Sequence, residues 1–423
     1  MAAAPFTVTH FSTHDTLGGS ARSASKIHHT LQELGVRSRM LVRHRHSADP
    51  TVGLISRGPW LVADRLTTLV TRSQGWQYRF LPSSTRLARH PWVREADVLQ
   101  LYNLHGAYFS PAVLPELSAA RPVVWRLSDM WPLTGHCTYS GDCTRWLTGC
   151  GQCPDLAQYP ALARDTTADL WTWKRQLYTR SRLTIVAPSS WTLDLAARSP
   201  LLSHFRRELI PNGLDETVFR PQDRAAALAE LGIPDDLPTV LVVAHRLLGD
   251  TRKGFHLIQQ AAAWLKTHGP PCRFLLVGQD AQAAAATLPL PAWPQDLVND
   301  DQRLARIYAA SSLYLHAAVA ENVANTIFEG MACGLPVLAY DVGGIKDAVK
   351  PGQTGELVLP VAGEPLGRAL ATLLAAPASM AEMGARGRRL VLERFTNRRQ
   401  GESFLALYQD LHASFVPGPP SGT

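Results

Sequence analysis

The sequence predicts an α/β protein of two domains, each a parallel sheet covered by helices. Three observations carry this. Short apolar, β-rich runs alternate with segments of helical periodicity from end to end, the rhythm of strands joined by crossover helices. That rhythm pauses once, at a turn-rich passage near residue 211, and then restarts. Finally, 423 residues are too many for one compact core.

In the first half, strands are expected at "FTVTHFS", "RMLVRH", "DVLQLYN", "PVVWRLS" and "LTIVAPS". Between the first two, Ala21, Ala24, Ile27, Leu31 and Leu34 recur at helical spacing, and Gly35 stands where that helix should stop. The passage "IPNGLDETVFRP", with Asn212 and Pro221, suits a hinge. Strands follow at "TVLVVAH", "RFLLVG", "SLYLHAA" and "PVLAYDV", separated by the helical segments "GFHLIQQAAAWLKTHG", "DQRLARIYAAS" and "ANTIFEGMACG". The expected domains are 1–207 and 208–395, then a helix over 396–415 and a tail, 416–423, whose "VPGPPSGT" predicts disorder. No repeat of fixed period is present.

Hydrophobic residues make up 46% and charged residues 18%, so the chain can bury enough apolar surface to fold without metals or disulfides holding it overall. The net charge of +7 favours an anionic partner: nucleic acid, acidic lipid or a phosphorylated small molecule. The basic residues are spread as on a solvated surface, with modest concentrations over Arg37 to Arg45 and Arg79 to Arg94. No apolar stretch is long enough to span a bilayer, and "MAAAPFTVTHFS" lacks the charged start and apolar middle of a signal peptide. A cytosolic protein with reduced thiols is expected.

The most informative stretch is "AENVANTIFEGMACGLPVLAYDVGG". A helix beginning near Asn322 to Asn325 would turn free backbone N–H groups and a positive dipole end toward a phosphate. Glu321 would stand just before that start and Glu329 one to two turns inside, with carboxylates roughly 10 Å apart. In "VVAHRLLGDTRKG", Arg246 follows a strand and Lys253 precedes a helix, at the edge where open α/β sheets bind ligands. An arginine and a lysine converging there can neutralise a pyrophosphate and stabilise it as a leaving group. Gly18 and Gly19, between the first strand and first helix, let the backbone approach a ligand closely.

In this order, the GG after the first strand, "PNGLDETVFRP", the "R…KG" pair and E-x7-E followed by "GMACGLPVLAYDVGG" resemble family 4 glycosyltransferases. The resemblance runs from about residue 7 to residue 412 and is most specific in the C-terminal half. It implies the GT-B fold, two Rossmann-like domains facing across a cleft, with a C-terminal helix crossing back to the first. It also implies a retaining, metal-independent transferase taking a UDP- or GDP-sugar mainly on the C-terminal domain. By that likeness Arg246 and Lys253 hold the diphosphate, Glu329 receives the ribose hydroxyls, and Glu321 contacts the donor sugar. The backbone of Asn322, Val323, Ala324, Asn325 and Thr326 completes the donor site with Gly18 and Gly19. His105, in "LYNLHG", matches a histidine near the reacting centre, and Asp129 is an acceptor-side candidate that could equally serve a structural turn. The implied chemistry is front-face transfer, in which the acceptor hydroxyl attacks from the side the diphosphate leaves, and no protein nucleophile is used. The sequence departs from the family at Ala317-Ala318, where Pro-Ser is usual, and at Ser128, where relatives often carry histidine.

Cys137, Cys143, Cys150 and Cys153 are spaced C-x5-C-x6-C-x2-C, a pattern that can wrap a structural zinc, with reduced or disulfide-bonded thiols and an iron–sulfur cluster as alternatives. His136 could replace one thiol. A similar cysteine-bearing insertion occurs in the family branch linked to bacterial exopolysaccharides such as colanic acid, and that likeness places residues 130–155 over the acceptor side. Cys272 and Cys333 read as buried small hydrophobes. The acceptor implied is a saccharide or lipid-linked saccharide. Trp76, Tyr78, Phe80 and Trp92 could rest on an anionic membrane or belong to the core. The rival readings are a nucleotide-sugar epimerase, a phosphorylase, and a zinc-dependent nucleic-acid binder using Tyr139, Arg145 and Trp146.

Overall fold

A computed structural model describes residues 5–418. The chain divides into two compact units, Met1–Gly213 with Asn397–Thr423, and Leu214–Thr396.

The first unit holds seven strands: β1 (Thr7–His14), β2 (Arg37–His44), β3 (Val52–Leu54), β4 (Val98–Leu101), β5 (Val123–Arg126), β6 (Leu183–Ala187) and β7 (Arg206–Leu209). They form one parallel sheet in the order β3-β2-β1-β4-β5-β6-β7. Because β7 completes this sheet, a boundary at 207 would cut its last strand. The second unit holds β8 (Thr239–Val243), β9 (Arg273–Val277), β10 (Ala292–Gln295), β11 (Leu313–His316), β12 (Val337–Tyr340) and β13 (Gly355–Val358). Its parallel sheet runs β10-β9-β8-β11-β12-β13. Both sheets are doubly wound, so strand order reverses between β1 and β4 in one and between β8 and β11 in the other. Loops leaving neighbouring strands part at such a point and open a crevice at the carboxyl ends.

The helix Gly19–Glu33 buries Ala21, Ala24, Ile27 and Leu31 on one stripe. Gly35, at φ +83°, takes the left-handed conformation that ends it. The helix Asn397–Ser414 belongs to this first unit and closes over the same layer. Gly401 permits the approach, since a Cβ there would lie 2.5 Å from Thr30 Cγ2. Phe404, Leu407 and Tyr408 join Val8, Ala24, Ile27 and Leu31 in one core cluster. The buried Tyr408 hydroxyl donates to Gln100 Oε1 at 2.7 Å. Beyond the helix, Arg182 donates to Val416 O and Gly418 N–H to Ala119 O. Residues 419–423 of the expected tail lie outside the described residues.

One helix is inverted. Pro59–Ser73 buries Asp64 and Thr71 while Leu66 and Leu69 are 61% and 72% exposed, beside exposed Val62 and Val70. Asp64 is retained inside because its carboxylate accepts the Ser83 N–H at 3.0 Å. Trp76 and Phe80 are also exposed. Tyr78 and Trp92 instead pack against the core, so only part of that aromatic group faces solvent.

Replacing Tyr408 by alanine leaves a cavity and strips Gln100 Oε1 of its donor. The variant is expected to lose about 3 kcal/mol or more, read as a lower urea midpoint for the transition of the first unit.

Candidate functional site

The second unit gathers its chemistry at the carboxyl ends of β8 and β11, on either side of the strand reversal. The loop after β8 is shaped by two aspartates. Asp280 accepts the Leu247 and Leu248 N–H groups at 2.7 and 2.8 Å. Asp250 caps the turn Thr251–Lys253 through the Arg252 N–H. Gly254 follows at φ +70°, and a Cβ there would collide with Ala317 O. Val319 N–H donates to Arg252 O at 2.9 Å, so the two loops are tied backbone to backbone. The alanines at 317 and 318 are buried against this junction.

The contact sets Lys253 beside Glu321. The ammonium donates to Glu321 Oε2 at 2.9 Å, with both side chains largely buried. Gly343, at φ +57°, closes the other side, where a Cβ would strike Glu321 O, and Gly344 N–H donates to Asn322 O. Burial pushes the Glu321 carboxyl up, but Lys253, His316 and the hydrogen bonds from Lys253 and Asn322 outweigh it and hold it below the usual value. Arg246 lies exposed on the same loop, its side chain without a hydrogen-bond or ion-pair partner among the described residues.

The helix Asn325–Ala332 starts after Ala324, whose side chain makes no cap, and the Ile327 N–H donates to Ala324 O. Asn322 and Val323 are buried in the loop before it, and Thr326 Oγ1 accepts the Tyr314 hydroxyl at 2.7 Å. Glu329 is only 4% exposed and accepts the Tyr308 hydroxyl at 3.1 Å, so it sits within the core side of the helix.

The sequence reading passed over His316. Tyr314 and His316 are two apart on β11 and so share a face. Their hydroxyl and Nδ1 lie 3.0 Å apart. Since the Tyr314 hydroxyl donates to Thr326, it accepts from His316, which assigns Nδ1–H and leaves Nε2 as a lone pair. That atom is buried, has no hydrogen-bond partner, and faces Glu321 Oε2 at 4.0 Å. Burial lowers the His316 pKa to about 4, with Glu321 opposing and Lys253 reinforcing the shift.

In the first unit, Gly18 and Gly19 start their helix without a side-chain cap, and open space surrounds both. At the end of β4, His105 Nε2 lies 2.9 Å from Asp129 Oδ2, whose other oxygen accepts the Trp131 N–H. Trp131 and Tyr159 pack edge-on against the imidazole. Asp129 therefore joins the histidine and also holds a turn. Ser128 bonds to Ser20 at 2.9 Å. The structure also stacks His14 between His44 and His46 at the ends of β1 and β2, a trio with no motif spacing to reveal it.

Cys137, Cys143, Cys150 and Cys153 are free thiols lining one small cavity with His136. Trp146 is buried in the core, which removes it from any nucleic-acid-binding face. Cys272 and Cys333 are buried. Among the described residues, the group whose ligand atoms lie close enough for a metal is His28, His29 and Asp49. Both His28 nitrogens there are engaged, at 2.7 Å to Ser38 and 2.9 Å to Thr51.

Because the folded His316 pKa lies below its usual 6.5, the stability this group contributes is full above about pH 6.5 and is lost as pH falls toward 4. The loss is about 3 kcal/mol. The His316→Gln variant should show a smaller fall in melting temperature than the parent between those values, measured by calorimetry.

Residues 223–390 match the family described as Glycosyl transferases group 1. Among curated relatives, the D-inositol 3-phosphate glycosyltransferase of Rhodococcus erythropolis is 30% identical over 229 residues, half of each chain. The putative colanic acid biosynthesis glycosyl transferase WcaC of Escherichia coli is 32% identical over 145 residues, 33% of this chain and 34% of that protein. The chain thus spans about half the length, or less, of these relatives. Of solved structures, sucrose-phosphate synthase from Thermosynechococcus elongatus superposes over 97% of this chain and 100% of its own, with TM-score 0.71 and 20% identity. Anabaena Alr3699/HepE in complex with UDP-glucose covers 96% of this chain and 100% of its own, with TM-score 0.64 and 16% identity. The fold is that of the GT-B glycosyltransferases, and residues 223–390 are similar to the glycosyl transferases group 1 family.

Proposed function

We propose that this protein is a retaining, metal-independent glycosyltransferase that moves a sugar from a UDP- or GDP-sugar to a saccharide or lipid-linked saccharide in bacterial polysaccharide or glycoconjugate synthesis. The observation that carries the reading is the Lys253–Glu321 pair, set at the strand reversal, with the exposed Arg246 on the same loop as Lys253. Arg246, Lys253 and the amino end of the helix Asn325–Ala332 are suited to a diphosphate. Glu321 is the contact for the transferred sugar and Glu329 for the ribose. His105, held by Asp129, serves near the reacting centre, and Asp129 belongs to the acceptor side.

In the proposed step the acceptor hydroxyl oxygen bonds to the anomeric carbon as the bond from that carbon to the diphosphate oxygen breaks. The bonding electrons leave with the diphosphate, and one of its oxygens takes the hydroxyl proton. Both events occur on one face, so configuration is retained. Catalysis then rests on positioning and on charge placed at the leaving group.

Contact with an anionic membrane is part of this reading. The inverted helix Pro59–Ser73 offers the apolar stripe Val62, Leu66, Leu69 and Val70. Between Ser56 and Glu95 the chain carries seven arginines and a single acid, the buried Asp64. No helix among the described residues is long and apolar enough to cross a membrane.

Thermal-shift titration against a panel of nucleotide sugars and their diphosphates tests the donor site. One diphosphate should raise the melting temperature, and Arg246→Ala should weaken its binding about tenfold or more. A parent protein that responds to none, with Arg246→Ala behaving alike, overturns the reading. For the membrane contact, Leu66→Asp with Leu69→Asp should abolish co-sedimentation with phosphatidylglycerol-containing vesicles, and raised salt should weaken it in the parent.

A further inference from the structure

The loop from Thr134 to Asp165 runs through the core of the first unit with little regular structure of its own. Among its described residues it contributes one short turn, Arg145–Leu147, yet it delivers Trp146 and Leu162 to the main cluster. Its internal backbone bonds are mostly those of tight turns, three of them converging on Arg145 O.

All four thiols of this loop, with His136, face one cavity of about 20 Å³. Four successive residues, Gly149, Cys150, Gly151 and Gln152, have φ of +128°, +58°, +88° and +47°. Cysteine and glutamine pay for that left-handed backbone, and the fold tolerates it where it curls Cys150 and Cys153 toward the same point. Burial raises the Cys150 thiol's pKa, and the Gly135 N–H, donating to its Sγ at 3.2 Å, works against that shift.

His136 adds a directional donor. Its Nδ1 lies 3.0 Å from Pro160 O, and since a carbonyl can only accept, Nδ1 carries the proton. Nε2 is then a lone pair, 3.3 Å from Cys153 Sγ. An imidazole with its far nitrogen held by a carbonyl is the arrangement of metal-binding histidines.

The independent observation is Lys174. This side chain is 1% exposed, and its ammonium donates to Trp131 O at 2.7 Å and Thr134 O at 2.9 Å. It also lies over the Trp131 ring, 3.6 Å from the centroid. No carboxylate stands within ion-pair distance of it among the described residues. Burial lowers its pKa to about 7, opposed by Cys150, then Cys137, then Asp129, which is already bound to His105 and Trp131. Ionised sulfur is the counter-charge in these surroundings that would keep the buried amine protonated.

We propose that four of these donors, Cys150 and Cys153 with two of Cys137, Cys143 and His136 Nε2, bind one zinc ion whose negatively charged complex is balanced by Lys174. Sulfur-rich donors in a closed, tetrahedral set suit zinc in a structural role. No three of the donor atoms lie within 4.8 Å of one another among the described residues, so the ion draws them inward by side-chain rotation about the cavity. The inference stands apart from the sugar-transfer reading, since none of these residues belongs to the proposed donor site.

Metal analysis by plasma mass spectrometry on the reduced full-length protein tests it. The expected result is stoichiometric zinc, lost in Cys150→Ser and Cys153→Ser and retained in Cys272→Ser and Cys333→Ser. Cobalt titration of the parent, which needs no variant to fold, should give a thiolate-to-cobalt charge-transfer band. Lys174→Met should release zinc to a chelator at least tenfold faster than the parent. A parent that is metal-free and gives no cobalt band overturns the proposal. So does iron with acid-labile sulfide, or mass-spectrometric detection of disulfides among these four cysteines in protein isolated with alkylating agent present.

Discussion

The candidate donor site depends on one steric constraint, the wedging of the Ala317–Asn322 backbone between two glycines. Gly254 lies against Ala317 O and Gly343 against Glu321 O, each so close that a side chain at either position would push the loops apart. Since Lys253 immediately precedes Gly254, the contact that fixes Glu321 also fixes the ammonium beside it. The resulting ion pair is largely buried, and removal of one partner would strand the other's charge. The lone pair of His316 faces the same carboxylate. Glu321 is thus held by backbone packing on two sides and by charge on a third.

The first unit applies the same topology to different ends. Its strand reversal carries an open glycine pair on one side and the His105–Asp129 pair on the other. Trp131 connects the latter to the cysteine loop. Its N–H holds Asp129, its ring packs against His105, and its carbonyl and ring face receive Lys174. The order of the cysteine loop and the orientation of His105 are therefore coupled through one buried tryptophan.

Much of this was legible from the sequence, and the misses share a cause. The nine strands named from the sequence all occur. The four that were not named, β3, β7, β10 and β13, are the four sheet edges. An edge strand has one neighbour and needs no continuous apolar run, so "RREL" and "AWPQ", with its proline, carry no β signature. The inverted helix escaped for a related reason. Periodicity marks a helix with an apolar stripe but not which way the stripe faces, and here a hydrogen bond from Ser83 to Asp64 turns the polar side inward.

By itself the sequence determined the two α/β units, the central strands, and the placement of Arg246, Lys253, Glu321 and Glu329 around strand ends, because alternation and spacing along one chain encode these. Tertiary structure alone decided that Lys253 rests on Glu321, that Glu329 is buried against Tyr308, and that His316 and Lys174 face groups far from them in sequence. Those outcomes follow from close backbone contacts and from pairing buried charge. Both are set by which loops meet when the sheets close, and no local pattern records that meeting.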